Sequence, residues 1–508
     1  MLLIPFFPLT VIAALFAYST SVYASFSLPK LAVLVLGVIP FAVAIYRGRA
    51  VRFDRGAAVA LAVFGAVALA SAWQSSDFYL SIVGRYNCYT WGLLGLFLAV
   101  CYYACAVSFG QDLDLDWYAL AGVAMAGYAL AQRFGIVAIP TFGGRVIATL
   151  GSAYTLGMAL AVISPLVLRR SMVGYGFMVA AILATDCRGA LIAAAFGAVV
   201  YFVHKRYARG LTFALIVVSL AAGWMAWSTV RSWSLSNNVR IEIWKVASKA
   251  ALERPWLGWG PDAFEVPFRK NKRAEFIGLV NSGTEVANDA HNIALQLWST
   301  MGALGLFAFG FLVVALVKTI KHRPAVLAAF GAFLVGAMFN PVALEVLVLV
   351  AALVGTAAAV AEGKRFTPDY DINGVARAVL LMALCASVVC VTLMVLADRA
   401  YHRGGPAGLA SACKLNPFEL KYKVGLVNAG IDALGWMKDF EARAVVNQAM
   451  TNEAAIALRL RPGSAMSYYL AATAARIRGD RGAEWQSLKT GMKMDSLNEG
   501  MRHERLNF

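Results

Sequence analysis

The sequence predicts an all-α, polytopic membrane protein: a helical bundle of about 12–13 spans with a structured outer, non-cytoplasmic loop and a C-terminal helical domain. Three observations predict this class. Of 508 residues, 60% are apolar and only 14% are charged, too few to clothe a globular surface. Runs of about 17 to 25 mostly apolar residues, enough to cross roughly 30 Å of hydrocarbon, recur from Leu2 to Ala397. Short loops rich in Lys and Arg alternate with loops that lack them.

The apolar runs fall near 2–24, 28–46, 56–73, 89–109, 117–136, 152–168, 173–185, 189–203, 211–230, 291–317, 324–340, 342–361 and 375–397. The first lacks a basic leader and reads as an uncleaved helix, although "YSTSVYA" (18–24) resembles a cleavage site. Positive loops stay on the cytoplasmic side. "RGRAVRFDR" (47–55), "RR" (169–170), "HKRYAR" (204–209), "KTIKHR" (318–323) and "GKR" (363–365) share that side if the N-terminus is inside. The acidic "GQDLDLD" (110–116) dissents. The loop 231–290 and the chain beyond Ala397 then lie outside.

A formal charge of +17 could suggest nucleic acid, but much of it sits in these loops and suits a membrane surface, so no nucleic-acid partner is expected. The seven cysteines show no CxxC pair; neither a disulfide framework nor a zinc site is expected.

Three parts result: a membrane body (1–397), its outer loop (231–290), and a polar helical tail (398–508). In the loop, Asn238 can cap a helix with Ile241, Trp244, Ala247, Ala251 and Leu252 at helical spacing, ended by "RPWLGWGPD" (254–262) through Pro255 and Gly258. Trp233, Trp244, Trp256 and Trp259 suit a membrane interface. In the tail, "LNPFE" (415–419), "LRPGS" (460–464) and "MDSLN" (494–498) each follow a helical stretch. The last two are about one tetratricopeptide unit apart and the first is not, so plain hairpins and tetratricopeptide-like repeats both remain open, as do a solvated cap and a recruitment surface.

Candidate site residues gather on the outer side. Arg188, in "TDCRGAL", interrupts a hairpin between spans; a local pair with Asp186 is the bland reading, capture of an anion the functional one. Arg240 stands in the first turn of the loop helix, one turn before Trp244, and its fork of donors suits phosphate oxygens. Arg85 and Arg145 lie on other outer loops, and Arg269 and Lys270 in "RKNKR" deepen the positive field. His291 is the one histidine predicted at this vestibule. It can take a proton from a hydroxyl, or be a helix-start histidine held by Asn288 or Asp289. Asp289 and Asn292 flank it. No metal-ligand cluster, nucleophile triad or nucleotide fingerprint is evident, so no metal or cofactor is expected.

"TDCRGAL", then "VRIEIWKVASKAALERPWLGWGPDAF" opening a long outer loop, then "AHNIALQLWSTMGALGL" closing it, together resemble the O-antigen ligase and polymerase superfamily, which includes bacterial protein O-oligosaccharyltransferases. Motif order and loop length agree over about residues 140–345. The chain departs at "LGSAYTLG" (150–157), where relatives often show an Asn-Pro-Asn-like element, and at Cys187, where they have serine.

The resemblance implies an inverting, metal-independent transferase of the bacterial inner membrane. It would move a glycan from undecaprenyl diphosphate to an acceptor hydroxyl at the periplasmic face. Arg188 and Arg240 would stabilise the diphosphate and His291 would activate the acceptor, with Asp289 and Asn292 orienting its ring. Arg85, Arg145, Trp244, Arg269 and Lys270 would help bind substrate. Lipid A-core (an O-antigen ligase), a growing polysaccharide (a polymerase) and a protein serine (an oligosaccharyltransferase) all fit the same donor. A lipid or solute transporter is the rival class, but no inverted repeat is evident and the charges cluster at one face.

Overall fold

The computed structural model describes residues 7–48, 54–137, 144–205, 237–282, 285–340, 342–361, 374–495 and 497–498. Among them the secondary structure is helical, with no strand. The first ten helices are α1 Phe7–Phe16, α2 Ser27–Gly37, α3 Ile39–Tyr46, α4 Arg55–Trp73, α5 Phe78–Val83, α6 Leu93–Phe109, α7 Asp112–Arg133, α8 Ala153–Leu168, α9 Met172–Ala184 and α10 Arg188–Lys205. The long loop contributes α11 (237–253), α12 Glu265–Asn271 and α13 Ala274–Val280; α14 Ile293–Ile320, α15 Pro324–Ala337, α16 Leu344–Ala361 and α17 Gly374–Arg403 complete the bundle. The tail is α18 Gly405–Leu415, α19 Leu420–Trp436, α20 Phe440–Leu460, α21 Ala465–Ile477 and α22 Arg481–Met494.

Five stretches are long and apolar enough to cross a membrane: α2 with α3, α4, α10, α14 and most of α17. Six apolar helices of 10–17 residues accompany them. The chain is thus a polytopic helical membrane protein. The expected span at 211–230, together with Trp233, lies outside the described residues. The first expected span, 2–24, is helical only over Phe7–Phe16, because the hydroxyls at 19–25 turn the chain: Ser19 N–H donates to the Ser25 carbonyl and Ser25 Oγ to that of Val22. Almost all of α8 is buried, at the centre of the bundle against α7, α9, α10 and α15. Gly157 lets α8 approach α10 closely, since a Cβ there would lie 2.7 Å from that of Ala190.

The helix ends form two polar faces. One gathers the described basic helix ends at 47–48, 169–170, 204–205 and 318–323, and the acidic 110–116 segment belongs to it: Asp116 pairs with both Arg169 and Arg170. The dissenting loop is therefore neutralised by the arginines beside it. The opposite face, here the site face, carries the 74–92 loop, the α9–α10 turn, α11 to α13 and the tail.

On that face the long loop is joined to the bundle by a break in α14. At Gly302 the backbone takes φ 70°, ψ −173°, which only glycine adopts without strain. The break frees the N–H groups of Ala303 and Leu304 and the carbonyls of Ser299 and Thr300, which would otherwise bond to one another along the helix. The loop takes all four. Ala303 and Leu304 donate to the Pro255 and Trp256 carbonyls, at 2.7 and 3.2 Å. Trp259 and Gly260 donate to Ser299 and Thr300, at 3.2 and 2.8 Å. Gly258 (φ 67°) meets the same junction, where a Cβ would lie 2.3 Å from the Thr300 carbonyl carbon.

Within the loop, α11 buries Ile243, Val246, Ala247, Ala250 and Ala251, in part against Phe264, Phe268 and Ala290. The expected stripe is corrected here: Ile241, Trp244 and Leu252 are exposed. The side that carries Ile243, Val246 and the alanines packs inward, and Ile241, Trp244 and Leu252 point out.

Each turn motif of the tail docks on the site face. Asn416 donates to Tyr79 Oη at 3.1 Å, Arg461 Nε to Asp77 at 2.9 Å, and Lys272 Nζ pairs with Asp495 at 2.8 Å with both side chains fully buried. Asp398, near the end of α17, accepts from Ala24 N–H, Tyr86 Oη and Tyr422 Oη.

Two outcomes follow from these joints. Gly302→Ala would add about 1–3 kcal/mol of backbone strain and place a methyl 2.2 Å from the Trp256 backbone; a lower thermal midpoint in detergent and faster proteolysis within 237–290 should result. Removing one partner of the buried Asp77–Arg461 pair, as in Arg461→Ala, should cost about 3–5 kcal/mol and loosen the tail, read by hydrogen exchange at 405–495.

Candidate functional site

His291 sits on the last residues of the loop, just before α14. Asn292 caps that helix, accepting from Ala294 and Leu295 N–H at 3.0 and 3.1 Å and donating Nδ2 to the Met338 carbonyl at 3.1 Å. Asn292 is thus engaged in holding the α14 start to the end of α15. His291 itself is in the left-handed region (φ 49°), with its N–H on Asp289 Oδ1 at 2.9 Å. Its Nδ1 faces two oxygens, Asp289 Oδ1 at 3.2 Å and Asn340 Oδ1. Two acceptors at Nδ1 place the proton there, leaving Nε2 with a free lone pair. The ring remains accessible, with a third of the side chain exposed.

Asn340 links this histidine to the arginines. Its backbone carbonyl, like that of Gly336, accepts from Tyr154 Oη, at 2.7 and 2.8 Å. Arg240, half-buried in the first turn of α11, acts electrostatically on Tyr154 and on Cys187, which precedes Arg188. Arg188 opens α10, also half-buried, and its neighbour Gly189 packs on Phe339, adjacent to Asn340. Arg240 and His291 therefore both act at the Tyr154–Asn340 connection, and Arg188 opens the helix that packs beside it. Burial pushes the Cys187 thiol up, and nearby Arg145 and Arg240 partly offset that.

Arg145 holds the hairpin that presents Arg188: Nε donates to the Thr185 carbonyl at 3.2 Å and Nη2 to that of Asp186 at 2.6 Å. Asp186 is also left-handed, φ 53°. Arg85 faces the same vestibule. Its N–H donates to Asp262 at 2.8 Å, while its buried Nη1 has no hydrogen-bond partner among the described residues. Burial opposes the Arg85 charge, yet Cys88, Asp289 and Asp262 hold the guanidinium above its ordinary range.

Other expectations are not brought together. Trp244 lies one turn beyond Arg240 with an exposed ring. Arg269 and Lys270 turn toward the tail, where they line a separate cavity of about 410 Å³ with Asp77 and Arg461. The basic "RKNKR" stretch is not an open patch. Arg269 pairs with Glu265 and Asp495, Lys270 with Glu253, Lys272 with Asp495, and Arg273 with Glu242 and Glu275.

Sequence reasoning missed Tyr154, Asn340 and Asp262. Asn340 precedes Pro341, which marks a helix end but carries no chemical signal; Tyr154 and Asp262 lie within "LGSAYTLG" and "RPWLGWGPD", which signal a departure from relatives and a helix ending. Among the described residues no group of three or more His, Cys, Asp and Glu stands together as a metal-ligand set.

Fold and site together define a polytopic membrane protein with a histidine and several arginines converging on one polar face. Residues 173–310, from α9 into α14, match the family described as O-antigen ligase, and this match supports the O-antigen ligase superfamily. The match supports a glycosyltransferase of the ligase or polymerase type. No curated protein matches the chain. The matched stretch contains Arg188, Arg240 and His291; Arg85, Arg145, Tyr154 and Asn340 lie beyond it.

The buried Asp262 carboxyl is pushed up to about 6 by burial, with Arg85 opposing and Asp289 and Glu265 reinforcing. A carboxyl whose folded value is raised contributes stability that is full below the unfolded value, near about 4, and is lost as pH rises through about 6. Asp262→Asn keeps an acceptor for the Arg85 N–H. It should flatten the fall in thermal midpoint between about pH 5 and pH 7.5; a parallel fall in wild type and variant would show that Asp262 is not its source.

Proposed function

We propose that the protein is an inverting, metal-independent glycosyltransferase. It moves a glycan from undecaprenyl diphosphate to an acceptor hydroxyl at the periplasmic face of the inner membrane. The observation that carries this reading is the placement of Arg240 and His291 about Asn340 and Tyr154, with Arg188 at the start of the adjoining helix α10 and Arg85 coupled to the same Asp289 that holds the histidine.

In this reading Arg188, Arg240 and the free Nη1 of Arg85 take the diphosphate oxygens, whose charge grows as the bond from the anomeric carbon to phosphate oxygen breaks. The acceptor oxygen attacks that carbon from the opposite side, which inverts it. His291 Nε2 receives the hydroxyl proton, while Asp289 and Asn340 keep the other nitrogen protonated and stabilise the resulting imidazolium. The diphosphate departs with the bonding electrons, still on its lipid. Arg145 acts through the hairpin it props rather than on substrate.

A second observation supports a lipid-borne donor. An apolar cleft of about 630 Å³ runs between α4 and α14 on one side and α6 and α16 on the other, from Trp91 and Leu347 down to Ala58 and Leu316. It suits a prenyl chain, whose burial needs a continuous apolar wall. We assign the acceptor as a lipid A-core hydroxyl, making the protein an O-antigen ligase, because a site at a membrane face reaches an acceptor anchored in the same leaflet.

The test is purified protein with a lipid-diphosphate glycan and, separately, lipid A-core, polysaccharide or a serine-bearing protein, all with chelator present. Transfer to lipid A-core is expected. His291→Ala should lower kcat by about 10²–10⁴-fold, and Asn340→Ala by roughly 10–100-fold. Arg240→Ala should also abolish transfer, with expression and lipid-carrier flipping intact in each variant. A requirement for divalent metal, or loss of transport in place of transfer, would refute the mechanism. Transfer only to polysaccharide or protein would replace the acceptor.

A further inference from the structure

The last spanning helix, α17, carries an apolar stripe on its exposed side: Val375, Val379, Met382, Val389, Leu393 and Leu396. From Val375 to Leu396 this stripe covers about 32 Å at helical rise, close to the roughly 30 Å of a hydrocarbon core. The next positions on the same side are Arg399 and Arg403, three and seven residues beyond Leu396. Their Cα atoms stand about 5 and 10 Å past the end of the stripe, at the depth of lipid phosphates.

Both side chains are exposed, and neither has an ion pair or hydrogen-bond partner among the described residues. Just beyond them Gly404 (φ 68°) reverses the chain and α18 folds back so closely that a Cβ on Gly408 would lie 2.7 Å from the Ala400 carbonyl oxygen. Between the two helices is a cavity of about 540 Å³ whose wall includes Arg399, Arg403, Gly404, Ala407 and Ser411, with Leu396 at its membrane end. Topology does not account for these cations. They lie on the face opposite the basic loops, where positive charge near a span is disfavoured.

We infer that this groove binds the phosphate of an anionic phospholipid from the leaflet on the site face. The acyl chains lie along the α17 stripe, and the phosphate bridges the two guanidiniums, whose planar forks suit its oxygens. The small residues of α18 leave room for the headgroup, and Leu396 marks the boundary between headgroup and chain. The site does not rest on the glycan-transfer reading.

The experiment is native mass spectrometry of the full-length protein, delipidated in detergent and offered phosphatidylglycerol or phosphatidylcholine. Wild type should retain phosphatidylglycerol preferentially. Arg399→Gln/Arg403→Gln should lose that preference, with phosphatidylglycerol affinity lowered roughly 30-fold and the thermal midpoint in lipid-free detergent unchanged. Ala407→Trp, which fills the groove and keeps both charges, should also lose the lipid. Equal retention of the two lipids by wild type, or full retention of phosphatidylglycerol by either variant, overturns the inference. So does displacement of the lipid by excess inorganic phosphate, which would mark a site for free anions.

Discussion

The break in α14 is the constraint on which the site face depends. A spanning helix cannot leave four backbone groups unbonded, and here a loop nearly fifty residues upstream in the chain takes all of them. The exchange works because Gly302 and Gly258 let two backbones approach within distances that a Cβ would forbid. Ser71, on α4, strengthens the joint by donating to the Leu257 and Thr300 carbonyls, at 2.7 and 3.1 Å. The loop is consequently a wall fixed to the bundle at its middle, and α11 on one side and residues 289–292 on the other inherit that position.

From this wall the chemistry is divided by which charges already have partners. The cations of "RKNKR" are matched to acids of the loop and tail, so they hold elements together and add little to an open field. Arg145 is engaged with two backbone carbonyls. Arg85 keeps a buried nitrogen without a partner. His291, Asp186 and Asp262 all hold left-handed backbone conformations, and such strain persists only where surrounding contacts impose it. Those contacts are the Asn292 cap, the Arg145 clamp and the Arg85 N–H.

The tail belongs to the same construction. Its three turn motifs recur along the chain because each ends a helix, and in space each sets a polar residue onto a site-face loop. Asp398 ties the last span to Ala24, Tyr86 and Tyr422 at once, so the loop bearing Arg85 is held from both the bundle and the tail. A buried carboxylate with three donors is satisfied in a way a surface residue need not be, and this makes the tail a structural part of the site face.

What the sequence determined by itself follows from local physics. Apolar run length and charge alternation set the helical membrane class, and Pro255 and Gly258 marked a helix end that the structure contains, because such signals act within a few residues. The resemblance singled out Arg188, Arg240 and His291 as one group. Only the tertiary structure decided the rest. That Asn340 and Tyr154 connect the histidine to the arginines, that Arg269 and Lys270 face the tail, and that α11 buries Ile243 and Val246 instead of Ile241 and Trp244 depend on which helices meet. Each is a pairing between residues far apart in the chain, settled by close packing and by the need to satisfy buried polar groups, and no local pattern encodes it.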